Sequence, residues 1–335
     1  MHVLSSVFQI KCSGLKCLIL AAFLFPTILL SGCGRQSTPV SDTGFYVDTV
    51  ITITLYEEDN KSLLDECMAL AGHYEALLSP TVEGSDVWKI NANPGTFITV
   101  DKDTLSLLQE ALSYAEVSDG MVTPSIGALS SLWNFGSDCP QMVPESQAIQ
   151  NALAHIDYHS IEIQGSRVRL NDPEAVIDLG FIAKGFIADK MKEFLLSKGV
   201  TSALINLGGN LVAVGSKPDG TPFKIGIQKP FASSGTAALT LDLTDISVVS
   251  SGNYERYFEK DGRLYHHILS AETGYPVENE LSQVTILSPD STQADALSTL
   301  CFILGYEKAV RLLENYPDVQ AVFITEDGQI LYYHF

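Results

Sequence analysis

The sequence predicts an α+β or mixed α/β fold: a large mixed or antiparallel sheet with flanking helices, a smaller helical lobe, and a ligand in the cleft. Three observations carry this expectation. Runs of alternating or β-branched residues recur through the second half of the chain. Helical periodicities interrupt them without the regular strand–helix alternation of a parallel sheet. Short turn signals at Gly165–Ser166 and Asp327–Gly328 close antiparallel hairpins. At 335 residues the chain exceeds what one small core requires.

From the N-terminal side, Phe45–Asp59 alternates and reads as a strand, and Asn60–Ser79 has helical spacing with Asn60 as its cap. A helical turn covers Asp86–Asn91. Thr96–Val100 is extended and leads to a helix that carries acids in its first turn and closes at Gly120. Residues 134–147 read as loop, with Pro140 and Pro144, and Gln147–Ala154 as a short helix. Ser160–Asn171 is a hairpin, Ala175–Gly180 a short buried strand, and Phe181–Val200 a helix ending at Gly199. Ser202–Gly215 reads strand, glycine turn, strand. Phe223–Pro230, Thr236–Gly252, Gly262–Ser270 and Leu281–Pro289 are further strands. Ala294–Gly305 is a buried helix, and Ala321–Phe335 closes the chain as a hairpin. The helical lobe is expected near residues 60–160.

Charge and targeting signals narrow the function. The net charge of −20 repels nucleic acid and anionic headgroups, so nucleic-acid binding is excluded. An anionic ligand would need a local offset from a metal ion, a lysine or a helix N-terminus. Lys11 and Lys16 precede an apolar run, Cys17–Leu30, of signal-peptide length. The run ends in LSGC, similar to the lipobox of bacterial lipoproteins, which makes residues 1–32 a signal peptide and Cys33 the lipidation site. Its removal takes two lysines and no acid, giving a net charge of −22. Residues 33–44 read as a flexible tether and 45–335 as the functional domain. Cys67 and Cys301 fall in apolar helical patterns; with Cys139 they form no CxxC spacing and no disulfide framework.

Four segments carry chemistry. In ADALSTLCFILG, Asp295 and Thr299 stand four apart on one helix face. Such an all-oxygen pair suits Mg²⁺, while a helix cap and a back-bonding threonine would need no metal. In DLGFIAKGFIAD, Asp178–Asp189, a strand end turns into a helix near Lys184, which suits an anion or simply permits tight packing. The glycines of INLGGN allow close approach of a ligand or form an ordinary turn. YHHILSAETGYP holds paired histidines at a strand end, one of which can take a proton from a hydroxyl.

Together with SDVWKIN, SDGMVTPSIG and SGNYERYF, these segments stand in an order that resembles the FAD:protein FMN transferase (ApbE-type) family over residues 45–330. The resemblance implies binding of FAD with Mg²⁺, cleavage of its pyrophosphate, and transfer of FMN to a Thr or Ser hydroxyl of a target flavoprotein with release of AMP. Targets would be flavoprotein subunits of membrane redox complexes, and the enzyme would be lipid-anchored outside the cytoplasm. By position, Asp295, Thr299 and a carbonyl near Ala183 would hold the metal. Trp88, Asn91, Asp119, Gly120, Lys184, His267 and Ile268 would line the FAD site. His267 is the first candidate base and Asp178 the second. A FAD pyrophosphatase and a non-catalytic flavin-binding lipoprotein are the alternatives. The sequence departs from the family pattern at Phe181, where a glycine is frequent, at Asn253, where an aspartate is frequent, and at Ser270–Ala271, where Asp-Pro is usual.

Overall fold

Period-2 alternation and β-branched residues build eight strands into one sheet. The strands are β1 (Val40–Tyr46), β2 (Thr49–Leu55), β6 (Ser202–Leu207), β7 (Asn210–Gly215), β10 (Ser247–Gly252), β13 (Leu281–Ser288), β14 (Gln320–Thr325) and β15 (Ile330–Tyr333). Their order is β1-β2-β6-β7-β10-β13-β14-β15, and each neighbouring pair is antiparallel. The computed structural model describes residues 38–56, 61–136 and 141–335. The signal segment with Cys33, the Asn60 cap and Cys139 lie outside the described residues.

Three helices cover one face of the sheet: α1 (Lys61–Leu78), α6 (Ala183–Ser197) and α7 (Ser291–Leu304). Val249, Val284 and Ile286 of the sheet belong to one core with Ile187 and Met191 of α6 and Leu297 and Leu300 of α7. Strand β13 is buried along its whole length, so even Gln283 and Thr285 lie inside, hydrogen-bonded to each other at 3.0 Å. The opposite face is covered by the hairpin of β8 (Phe223–Gln228) and β9 (Ala237–Leu243). Phe223 and Ile225 pack there on Ala213, Val248 and Leu287.

The remaining elements pack around this sheet. They are α2 (Asp86–Ala92), α3 (Lys102–Val117), α4 (Gly127–Trp133), α5 (Ser146–Leu153), the small sheet of β3 (Ile98–Thr99), β4 (Ile161–Gln164) and β5 (Arg167–Leu170), and the hairpin of β11 (Tyr257–Lys260) and β12 (Arg263–His266). A last helix, α8 (Tyr306–Leu313), follows α7. Trp133 and Ile149 form a satellite core with Phe258 and Leu269, and the Trp133 indole donates to the Gly274 carbonyl at 2.8 Å. Thr38–Phe335 is one compact unit, so the helical segments near 60–160 are part of it rather than a lobe of their own.

Further expectations change, among them the single strand Thr236–Gly252, which is split into β9 and β10 at Asp245 with φ of 46°. The tether ends before Val40, because Val40–Gly44 belongs to β1. As an edge strand β1 needs no apolar outer face, and its Ser, Asp and Thr residues hide it. The Phe45–Asp59 run is part of two strands, joined at Val47 and Asp48 with φ of 47° and 56°. Ala175–Gly180 is not a strand; only a bridge between Ile126 and Val176 forms there. Helices α4 and α8 were not expected, and neither has a side-chain N-cap to signal it.

Helices α6 and α7 cap one another. The Asp189 carboxylate of α6 accepts from the backbone N–H of Ser291 (3.0 Å) and Thr292 (2.8 Å), at the N-terminus of α7. The Asp295 carboxylate of α7 accepts from the Gly185 N–H (2.8 Å) at the start of α6, whose own preceding residue supplies no side-chain cap. Each interaction satisfies donors that a helix start leaves open, a contribution of about 1–2 kcal/mol apiece. The crossing is close enough that a Cβ at Gly185 would meet the Ser291 carbonyl oxygen at 2.2 Å and Asp295 Cβ at 2.8 Å.

Gly185→Ala therefore forces the two helices apart. We expect a loss of about 3 kcal/mol, seen as a melting temperature lower by roughly 5 °C or more in circular dichroism. A second test concerns Glu110, whose carboxyl is pushed up to about 7 by burial and then by the negative charges of Asp290 and Asp189. Its folded-state pKa lies above the unfolded one, so its ionisation weighs against folding as pH rises through about 7. Glu110→Gln should melt with wild type at pH 4, below the unfolded value of 4.5, and about 2–4 °C higher at pH 8. An unchanged difference across that range would contradict the arrangement.

Candidate functional site

The start of α6 is the centre of the site. A helix N-terminus presents free N–H groups and a positive dipole end, and Lys184 adds a full charge there. The Lys184 ammonium lies 3.8 Å from Asp295 Oδ1. Asp295 is only 3% exposed, and burial raises its carboxyl above the usual range against the opposing pull of Lys184 and the α6 N–H groups. The Asn210 amide also faces this carboxylate, yet its Nδ2 is buried without a completed hydrogen bond. One turn along α7, the Thr299 hydroxyl is 3.1 Å from Ser251 Oγ, which is 2.7 Å from Ser298 Oγ. Ser298 Oγ donates in turn to the Asp295 carbonyl at 2.9 Å. Asp295 thus caps the neighbouring helix, not its own, whose cap is Asp290.

The β11–β12 hairpin delivers the histidine. Tyr257 pairs with His266, and one step further the His267 N–H donates to the Arg256 carbonyl at 3.1 Å. His267 is partly buried, and its ring Nδ1 is buried and unpartnered. Burial, followed by the cationic neighbourhood of Arg256, His266 and Lys184, holds its pKa well below the ordinary histidine value. It is a neutral base at pH 7. Glu255 reaches solvent at the rim, but protein packed around it lifts its carboxyl to about 7 despite Lys184 and Arg256. The turn that faces it, Gly208–Gly209, has φ of 58° and 104°, and a Cβ at Gly208 would strike Thr49 Oγ1 at 1.8 Å. The glycine pair of INLGGN is required by that turn.

A second group of expected residues forms a wall. Asn91 clasps the 175–180 segment, its Oδ1 accepting from the Ile177 N–H (2.8 Å) and its Nδ2 donating to the Ile177 carbonyl (3.0 Å). Asp178 is equally engaged: Oδ2 accepts from Ser130 Oγ at 2.6 Å and Oδ1 from the Gly180 N–H at 2.8 Å. Its carboxylate holds the turn into α6. The Asp178 N–H donates to the Pro124 carbonyl, so the 118–127 loop joins the same wall. In that loop Asp119 is exposed, and Asp119 and Gly120 have φ of 52° and 79°. Trp88 is half-buried on α2. Ile268 is buried in the core, where its N–H donates to His266 Nδ1 at 3.3 Å.

Lys184, His267, Asp295 and Thr299 converge as expected, with α6 starting at Ala183. Glu255, Arg256, Asn210 and Ser251 complete the centre and were not expected there. Their segments, SSGNYERYF and LGGN, stood out in the sequence without saying which side chain points inward. Of the departures, Phe181 packs on the main core. Ser270 Oγ accepts from the N–H groups of Glu272 (3.2 Å) and Thr273 (3.1 Å), the turn-holding role an aspartate fills.

The chain is similar to known proteins over most of its length. The ApbE family model matches residues 47–323. The chain is 38% identical over 324 residues to the FAD:protein FMN transferase of Treponema pallidum (strain Nichols), covering 90% of this chain and 89% of that protein. It is 37% identical over 284 residues to the FAD:protein FMN transferase of Klebsiella pneumoniae (strain 342), covering 84% and 87%. The crystal structure of the ApbE protein from Thermotoga maritima aligns with a TM-score of 0.81 at 31% identity, over 89% of this chain and 97% of that one. The apo flavinyl transferase ApbE of Pseudomonas stutzeri aligns with a TM-score of 0.76 at 30% identity, over 88% and 94%.

Proposed function

The chain belongs to the ApbE family, and from that premise we propose that it is an FAD:protein FMN transferase working at the start of α6. The observation that carries the site assignment is the meeting of Lys184, Asp295 and the α6 N-terminus with a neutral His267. The pyrophosphate of FAD lies against Lys184 and the α6 N–H groups, the chain's local offset to its negative charge. The wall built by Asn91, Asp178 and the 118–127 loop, with Trp88, borders the rest of the nucleotide.

The donor set fits Mg²⁺. Asp295 supplies one carboxylate and Thr299 a hydroxyl, and a carbonyl near Ala183 would add a third hard oxygen. Bound there, Mg²⁺ would neutralise charge on the phosphate oxygens. His267 Nε2 takes the proton of the acceptor Thr or Ser hydroxyl while that oxygen attacks the FMN phosphorus. The P–O bond to AMP breaks, and AMP leaves with the bonding pair. Asp178, the second candidate base, positions the turn through the hydrogen bonds that its two oxygens accept. The leader places the enzyme outside the cytoplasm, anchored through a lipid on Cys33, where acceptor flavoproteins of membrane redox complexes are within reach.

The soluble chain from Thr38 onward, given FAD, Mg²⁺ and a Thr-bearing acceptor domain, should release AMP and yield a fluorescent acceptor band on a denaturing gel. AMP without the band would mean a pyrophosphatase, and bound FAD that is never split would mean a flavin carrier. Asp295→Asn retains an oxygen for the Gly185 N–H, so we expect a near-native melting temperature with AMP release lowered at least 100-fold. Turnover within twofold of wild type would sink the metal assignment. His267→Ala should lower transfer by about 100-fold or more, the usual scale for a lost general base, while FAD affinity by fluorescence titration changes little. Equal losses in both would make it a binding residue.

A further inference from the structure

A groove of about 740 Å³ opens on the β8–β9 side of the sheet. Ala238, Leu264 and Ile324 give it an apolar floor. Three carboxylates, Glu259, Glu326 and Asp327, line it against one lysine, Lys229. Among the described residues neither Glu259 nor Glu326 has an ion-pair partner. Asn253 also lines the groove; it is 5% exposed, and its Oδ1 accepts no hydrogen bond. Asp327 is held by the Thr325 hydroxyl and the Gln329 amide, whereas Glu259, Glu326 and Asn253 Oδ1 are left to meet a donor or a cation.

The groove borrows lining residues from the two segments that lead to the candidate site. Asn253 stands two residues before Glu255, and Leu264 three before His267. At its rim Phe231 is 51% exposed and Tyr257 40% exposed, with ring centroids 5.4 Å apart. Phe231 holds a left-handed φ of 57°, unusual for a bulky residue, which turns its ring outward against Tyr254 and Tyr257. Exposed aromatics are enriched at polypeptide-binding surfaces, and unpaired acids beside them select a partner of opposite charge.

Resting on the transferase reading, we infer that this groove docks the acceptor polypeptide, through lysine or arginine side chains that flank the hydroxyl to be modified. The acids meet those cations, Asn253 Oδ1 takes a donor from the same segment, and Phe231 and Tyr257 cover its apolar or cationic side chains. The position leads the acceptor hydroxyl from the groove toward His267.

The test uses the double variant Glu259→Lys/Glu326→Lys, which touches no group of the catalytic centre. With an acceptor domain that wild type modifies, the variant should raise the acceptor KM at least tenfold, with kcat and the KM for FAD within twofold. A twelve-residue peptide with four lysines should inhibit wild type and not the variant; its glutamate counterpart should inhibit neither. An unchanged acceptor KM, or equal inhibition by both peptides, overturns the inference. Should wild type release no AMP at all, the transferase reading fails instead. Fluorescence anisotropy of the labelled lysine peptide on wild type and variant still decides the groove. A wild-type dimer that the double variant dissolves would seat a second copy there and equally overturn it.

Discussion

The site depends on one crossing, that of α6 over α7 at Gly185. Only glycine lets the Ser291 carbonyl approach that position. The same closeness brings the Asp295 carboxylate onto the α6 N–H groups and the Asp189 carboxylate onto those of α7. Two helices that supply no internal partner for these donors solve the problem reciprocally. The consequence is functional as well as structural. The cap that completes α6 also fixes Lys184 beside a buried carboxylate, and it aims the positive end of α6 into the cleft.

Local charge decides what such a cleft accepts. The net charge of −20 is spread over the surface, where salt screens it beyond about 8–10 Å. A single lysine about 4 Å from a phosphate oxygen contributes on the order of 4 kcal/mol at an effective dielectric of about 20. Lys184, Arg256 and the α6 N-terminus therefore outweigh distant acids at the point of contact. The same cations act on the titratable groups around them. They oppose the rise of Asp295 and Glu255 and deepen the fall of His267, and in each case burial is the largest cause. A cleft that disfavours every isolated charge leaves a histidine unprotonated at neutral pH and carboxylates that gain from a cationic partner.

The sequence disclosed most of the sheet, because β2, β6, β7, β13 and β14 bury side chains in a pattern that composition records. It disclosed Lys184, Asp295, Thr299 and His267, because their spacing matches a family pattern. What stayed hidden was set by tertiary contact. Strand β1 is polar because its outer edge meets only water. Ala175–Gly180 is apolar enough for a strand, yet Asn91 and Pro124 take its backbone groups instead of a neighbouring strand. Asp178 and Asp295 both precede or begin helical stretches and look alike in sequence. Only the partners distinguish them: a serine hydroxyl and a turn N–H for the first, a foreign helix and a lysine for the second.

The paired histidines show how the strand pleat assigns roles. Successive side chains at the end of a strand point to opposite faces. His266 faces inward, where Nδ1 accepts from the Ile268 N–H, so Nε2 carries the proton and donates it to the Val277 carbonyl at 2.9 Å. Both its nitrogens are committed, and burial keeps it neutral. His267 is turned the other way, toward Lys184 and Arg256. His266 thus fixes the loop with both ring nitrogens, while His267 stands beside two cations with its Nδ1 uncommitted.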